Sequence, residues 1–168
     1  SNPNQPGRTD ALRRNLVYGL NDPATTYPSA FSLRGCGKDN SGTKSFSNLA
    51  TATNIDGLKC EADSSALSDS ITVSYEADLF NTVARPVTST TPVKLPTDCL
   101  GAALANAGTL AEPYYVASNL FFIGGSSLRP SLYCKGNGFN EDGAVSTAKP
   151  LVENIEGLQL GYGTAKAL

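Results

Sequence analysis

Four cysteines in a chain with no histidine set the strongest limit on what this sequence can fold into: Cys36, Cys60, Cys99 and Cys134. None lies in C-x-x-C spacing, so neither a zinc ribbon nor a thioredoxin-type redox pair is expected. Mixed Cys/His metal sites are excluded outright. An even number of separated cysteines reads as two disulfides, and disulfides persist in oxidising compartments. Four cysteines allow three connectivities. Cys36–Cys60 and Cys99–Cys134 are the expected pairs, because each closes a local loop bracketed by turn-rich sequence. The chain-entropy model gives about 3–4 kcal/mol for each bridge, a large share of a domain's net stability.

Length and charge narrow the function classes. A chain of 168 residues can bury the core of one domain. Charged residues make up 17% of it, the net charge is -2, and no basic stripe is visible, so nucleic acid is not an expected partner. No run approaches the roughly 20 apolar residues of a membrane span. The chain opens "SNPNQPG" and contains no Met. It therefore reads as processed or truncated, with an anchor expected upstream. Residues 1–8 read as a disordered linker remnant, and residues 9–168 as a single head domain.

Along the chain, Thr9 or Asp10 can cap a helix in which Leu12 and Leu16 share one face and Gly19 ends it. Pro-punctuated and Gly/Ser/Asn-rich loops follow around Cys36. "IDGLKCE" at Ile55–Glu61 is a weak strand. "DSITVSYEADL" is the clearest strand: Ile71, Val73, Tyr75 and Ala77 alternate with Thr72, Ser74, Glu76 and Asp78. That pattern predicts a half-buried antiparallel strand with a wet outer face. "ARPVTSTTPVKLPTD" reads as a polar connection, and "CLGAALANAGTLAEP" as holding a helical turn. "YYVASNLFFI" reads as a strand interrupted near Ser118 and Asn119. "GGSSL" reads as a turn, "SLYCKGNG" as a short strand, and "GNGFNEDGAVSTA" as a hairpin-like loop. In "KPLVENIEGLQLGYG", Leu151, Val152 and Ile155 have helical spacing, whereas Leu158, Leu160 and Tyr162 alternate as in a strand.

Catalytic signals are sparse. Without His, the commonest general base and the usual Ser or Cys triads are unavailable. "GGSSL" lacks nucleophile-elbow spacing. "GCGKDN" lacks the third glycine and the helix of a phosphate loop. Glu76 and Asp78 share one strand face, as a paired-carboxylate hydrolase could require, but an exposed polar face is the simpler reading. "GFNEDG" offers oxygen ligands without the calcium-loop register, Lys149 standing where the closing Glu belongs. Tyr114, Tyr115, Phe121 and Phe122 fall within strands and read as core. No cofactor or metal is implied, and the chain reads as non-catalytic.

Three segments in order carry a resemblance: "SDSITVSYEAD", then "TDCLG" set against "LYCKGNG", then "KPLVENIEGLQLGYG". Together with "RTDALRRNLVYGL", which is similar to the end of an N-terminal helix, they resemble the periplasmic part of the PilW family of type IV pilus assembly proteins, the minor pilins. The likeness covers most of residues 9–163, with loops at 21–54 and 84–112 of uncertain alignment. It implies an α+β, pilin-like fold: a short N-terminal helix packed on antiparallel sheet through Leu12 and Leu16, with room for a second small sheet. The Leu151–Ile155 turn would cover the open end of the core, with Leu158, Leu160 and Tyr162 adding an inward row. The implied function is that of a non-catalytic subunit joining a minor-pilin complex that initiates fibre assembly. Its partners would be other minor pilins, the major pilin and the assembly machinery, with membrane contact only through an upstream apolar helix. A periplasmic head would thus become part of an extracellular pilus. The minor pseudopilin GspJ of type II secretion is a related alternative. A surface adhesin using loops 84–112 or 136–148 is an alternative of another class.

Overall fold

The computed structural model describes residues 33–37, 44–46, 60–62, 68–83, 85–87, 93–111, 113–126 and 128–161. Its strands are β1 (Leu33–Cys36), β2 (Lys44–Phe46), β3 (Cys60–Ala62), β4 (Ser70–Ala77), β5 (Arg85–Val87), β6 (Val93–Leu95), β7 (Tyr115–Ser126), β8 (Arg129–Lys135) and β9 (Lys149–Glu153). Five of them form an antiparallel sheet in the order β1-β4-β7-β8-β9, and β2-β3 and β5-β6 are two-stranded ribbons.

This corrects the expectation of an α+β domain with a helix packed on sheet: among the described residues there is no helix. Leu12 and Leu16, expected to join helix to sheet, lie outside the described residues, as do residues 1–8 and Tyr162. The apolar turn expected at Leu151–Ile155 is instead mostly strand β9, paired with β8. Five residues with one i, i+4 pair cannot offset the nucleation of a helix, whereas the edge of β8 satisfies their backbone at once. The helical turn expected after Cys99 is likewise absent; the chain turns at Asp98–Gly101 and continues through isolated bridges at Ala103 and Asn106. The expected polar connection at 84–98 contains the β5-β6 ribbon, with Pro86 at its edge, where a missing N–H is tolerated.

Strand β4 shows why alternation alone did not decide the wet face. Side chains alternate across a sheet, so the pairs Cys36↔Ser70, Thr72↔Leu120 and Ser74↔Ser118 fix one common face. On it, Ser70, Thr72 and Ser74 are buried, while Ile71, Val73 and Tyr75 on the other face are only half-buried. Of the outer face expected to be wet, Thr72 and Ser74 are covered, Glu76 is half-buried and Asp78, just past the strand, is exposed. Ser74 Oγ and Ser118 Oγ share a hydrogen bond of 2.9 Å across the two strands. Ser70 Oγ and Thr72 Oγ1 are buried without a hydrogen-bond partner, an arrangement that costs about 1–3 kcal/mol for each such group.

Covering both faces divides the core in two. Cys36, Phe46 and Leu120, joined by Phe122, form one cluster; Ala77, Leu104 and Ala117, joined by Tyr75 and Tyr115, form the other. Strand β7 runs through both without interruption. Ser118 and Asn119, expected to break it, are accommodated because their polar groups find partners on Ser74 and on the backbone of Cys99. Two disulfides reinforce the clusters: Cys36–Cys60 links β1 to the β2-β3 ribbon, and Cys99–Cys134 links the Asp98–Gly101 turn to β8.

Beyond β9, Asn154 adopts a left-handed conformation with φ 62°, which Asn tolerates better than most residues. The chain then returns to the start of β4. Ser68 Oγ donates to Leu158 O at 2.7 Å, Asp69 N donates to Leu158 O at 3.0 Å, and Leu160 N donates to Asp69 Oδ2 at 2.7 Å. The alternating tail expected to be a strand is thus an extended segment clasped by two polar side chains, with Leu158 and Leu160 half-buried.

Candidate functional site

The pair Ala77↔Tyr115 marks the end of the sheet where β4 leaves and β7 enters. Loops gather there, and a buried carboxylate organises them. Asp98 Oδ1 accepts from Leu100 N at 2.8 Å and Ala102 N at 3.0 Å. Its Oδ2 accepts from Gly138 N at 2.9 Å and Ser146 Oγ at 3.3 Å. Four donors surround one buried anion, which is how a carboxylate is accommodated away from water. Gly136 and Gly138 are small by necessity. A Cβ on Gly136 would sit 2.0 Å from Asp98 Oδ2, and one on Gly138 would sit 2.4 Å from the Ala102 carbonyl oxygen.

Two asparagines extend this node onto β7. Cys99 N donates to Asn119 Oδ1 at 3.0 Å. Asn137 lies just past β8, where that strand leaves the ladder. Its Oδ1 accepts from Ser118 N at 3.0 Å, and its Nδ2 donates to Val116 O at 3.0 Å. The side-chain amide thereby stands in for a peptide group and continues the sheet. With Cys99–Cys134 beside it, the segment Asp98–Gly101 and the segment Cys134–Gly138 are one bonded unit.

Two loops at this end are stiffened by their own side chains. In the first, Asp78 Oδ1 accepts from Phe80 N at 2.7 Å and Asn81 N at 2.8 Å. Asn81 Oδ1 accepts from Asp78 N at 2.8 Å, and Asn81 Nδ2 donates to Glu76 O at 2.9 Å. Thr82 Oγ1 donates to Asp78 O and accepts from Thr97 N. In the second, Asn106 Oδ1 accepts from Gly108 N and Tyr114 N, and its Nδ2 donates to Thr109 O. Each loop holds a large apolar side chain in solvent: Phe80 is 98% exposed and Leu110 is 99% exposed. Leu79 and Val83 beside Phe80 are also exposed. At the opposite end, Leu128 on the β7-β8 hairpin is also exposed.

The β9 edge of the sheet is less inviting. Strand β9 is exposed along its whole length, but Pro150 lacks a donor, and Leu151 is an extra residue that shifts the register against β8. Lys149 and Glu153 bracket it with charge. Proline, bulge and charge together blunt an edge against strand addition.

The other candidate residues have local tasks. Asp78 is exposed and supports its turn; Glu76 sits half-buried two residues before it. In the Asn140–Gly143 turn, Asp142 Oδ1 accepts from Ala144 N at 2.9 Å, while Asn140 N bonds Ala144 O; the expected hairpin-like loop is present there. Among the described residues no group of three Cys, Asp or Glu could hold a metal. Gly37 backs onto Asp69, whose carboxylate a Cβ would strike; Lys38–Asn40 of the "GCGKDN" stretch lie outside the described residues. Phe122 and Tyr133 stack at 5.6 Å between ring centroids, and Phe122 packs on the first core cluster. Lys135 is buried opposite Leu120, and burial lowers its pKa from the ordinary 10.5.

No family model, curated protein or solved structure matches this chain. Sequence reasoning missed Asp98 as a buried hub and Asn137 as a strand substitute. A signal existed for the first, because Asp-x-x-Gly is a turn in which the carboxylate can bond backbone N–H groups ahead of it. Nothing local marked Asn137, whose partners lie on another strand.

Proposed function

We propose that this chain is a non-catalytic minor pilin subunit of a type IV pilus, joining a minor-pilin complex that initiates fibre assembly. The observation that carries the assembly role is the pair of self-bonded loops presenting Phe80 and Leu110 to solvent at one end of the sheet. Large apolar side chains carried on a hydrogen-bonded loop backbone serve as interface anchors, since little backbone ordering is left to lose when they dock. The blunted β9 edge favours docking through loop tips over strand addition. Support for the pilus in particular comes from the resemblance described above, whose Asp98–Gly101 and Cys134–Gly138 segments are bonded at this same end. The two disulfides are compatible with a location outside the cytoplasm. In this reading the partners are other minor pilins, the major pilin and the assembly machinery, and membrane contact before assembly belongs to an apolar N-terminal helix.

The test is co-purification of the full-length protein from membranes, with Phe80→Ser and Leu110→Ser combined. The wild type should bring down other minor pilins, and the double variant should lose them while keeping its thermal midpoint. Recovery of secretion pseudopilins instead would reassign the system. Undiminished recovery by the double variant would refute docking through these loops.

A further inference from the structure

Asn137–Gly138 is the sole Asn-Gly step in the chain, and in unfolded polypeptides that step is the one most prone to lose its amide. The main-chain nitrogen of Gly138, once deprotonated, attacks Asn137 Cγ. A C–N bond forms, the side-chain nitrogen leaves as ammonia, and a five-membered succinimide results. Water then adds to either ring carbonyl and breaks one C–N bond, leaving Asp or isoaspartate. The net change is amide plus water to carboxylate plus ammonium, with no oxidant or reductant. Glycine permits it because no Cβ shields the attacking nitrogen.

Each requirement of that attack is blocked here. Gly138 N–H is held by Asp98 Oδ2 at 2.9 Å, so its proton is bound beside a carboxylate that opposes a second negative charge. The Asn137 amide is fixed at both ends on β7, by Ser118 N and Val116 O, which prevents Cγ from turning toward Gly138 N. Gly138 is itself buried, with the Ala102 carbonyl closing over it. Cys99–Cys134 bolts the two halves of this arrangement together.

We propose that Asn137–Gly138 is a latent modification site that the Asp98 node keeps closed, and that opening Cys99–Cys134 uncovers it. The change is one-way. A carboxylate at position 137 has no donor for the Val116 carbonyl, and isoaspartate adds a backbone atom where a single Cβ is already too much. A chain left reduced for long therefore loses the ability to rebuild the node, even after its disulfide re-forms.

The experiment compares the oxidised full chain with two double variants, Cys99→Ser/Cys134→Ser and Cys36→Ser/Cys60→Ser, held warm in mildly alkaline buffer. Tryptic cleavage at Lys135 and Lys166 isolates the peptide carrying Asn137, Asn140 and Asn154, because Pro150 protects the bond after Lys149. Isoaspartate labelling and mass mapping then read conversion at each position. Cys99→Ser/Cys134→Ser should convert at Asn137 about tenfold or more faster than wild type, the ratio for a site open less than one part in ten in the intact protein. Cys36→Ser/Cys60→Ser should stay close to wild type. Wild type converting as fast as Cys99→Ser/Cys134→Ser overturns the proposal, and so does equal conversion in both variants, which would make protection a property of the whole fold. The irreversibility is read separately with Asn137→Asp, whose thermal midpoint should fall; an unchanged midpoint overturns that part.

Discussion

Removing the negative charge of Asp98 tests whether the node is a structural hub. In Asp98→Asn, one amide oxygen can still accept from Leu100 N and Ala102 N, but the –NH2 then faces two further donors, Gly138 N and Ser146 Oγ. The contact with Gly138 N becomes a donor–donor clash in a buried site, and the Ser146 hydroxyl must turn round to accept from the new –NH2. Hydrogen bonds to charged groups contribute about 1.5–3 kcal/mol each, and neighbouring losses are not additive. We therefore expect a loss of roughly 3 kcal/mol, at the upper end of single substitutions. In Asp98→Ala all four donors lose their acceptor, and the loss should be larger. The assay is urea unfolding of the oxidised protein. With a slope of about 2 kcal/mol per M, a 3 kcal/mol loss lowers the midpoint by about 1.5 M at unchanged slope. Asp142→Ala, which removes one exposed turn contact, is the control and should move the midpoint little. If Asp98→Asn shifts the midpoint no more than Asp142→Ala, the carboxylate is not what holds these loops, and the reasoning fails.

Gly138→Ala drives a methyl group against the Ala102 carbonyl and should prevent folding or destabilise severely; Gly143→Ala meets open space but keeps φ 79°, and should cost only about 1 kcal/mol. Limited reductant should open Cys36–Cys60 before Cys99–Cys134, because Cys60 is exposed and Cys134 fully buried; alkylation mapping that finds Cys99 and Cys134 labelled first would refute this. Lys135 supplies a pH test. Its folded pKa lies below the unfolded 10.5, so in the window between the two values the unfolded chain binds more protons, and stability should rise with pH through that window. Lys135→Met should lack that component; parallel stability–pH profiles for the two proteins would show that burial does not disfavour the charge.

Legibility followed the range of the interactions. The alternation at Ser70–Ala77 is a backbone-local pattern, and it did become a strand. Its face assignment failed because Thr72 and Ser74 are covered from a distance, in a sheet that carries a core cluster on each face. The "KPLVE" stretch failed in the opposite sense: its spacing was locally helical, but β8 offered a ladder that no helix of that length could match. The helix expected at Thr9–Gly19 lies outside the described residues, so the sheet architecture stands on β1, β4, β7, β8 and β9. The node was half visible, since the turn chemistry of Asp98–Gly101 can be read locally. Its other half was not, because Gly138 N and Ser146 Oγ arrive from 40 and 48 residues away.

From the sequence by itself came the covalent and local terms: two disulfides from four separated cysteines without histidine, a strand within Asp69–Leu79, found at Ser70–Ala77, and a hairpin-like loop within Gly136–Ala148, turning at Asn140–Gly143. These depend on residue identity and neighbours along the chain. Only the tertiary structure decided which face of β4 is covered, that Asp98 is a buried hub, and that Phe80 and Leu110 stand in water while Thr72 does not. The physical reason is that burial and hydrogen-bond partners are set by segments distant in sequence, and no periodicity within a segment records what will lie across from it.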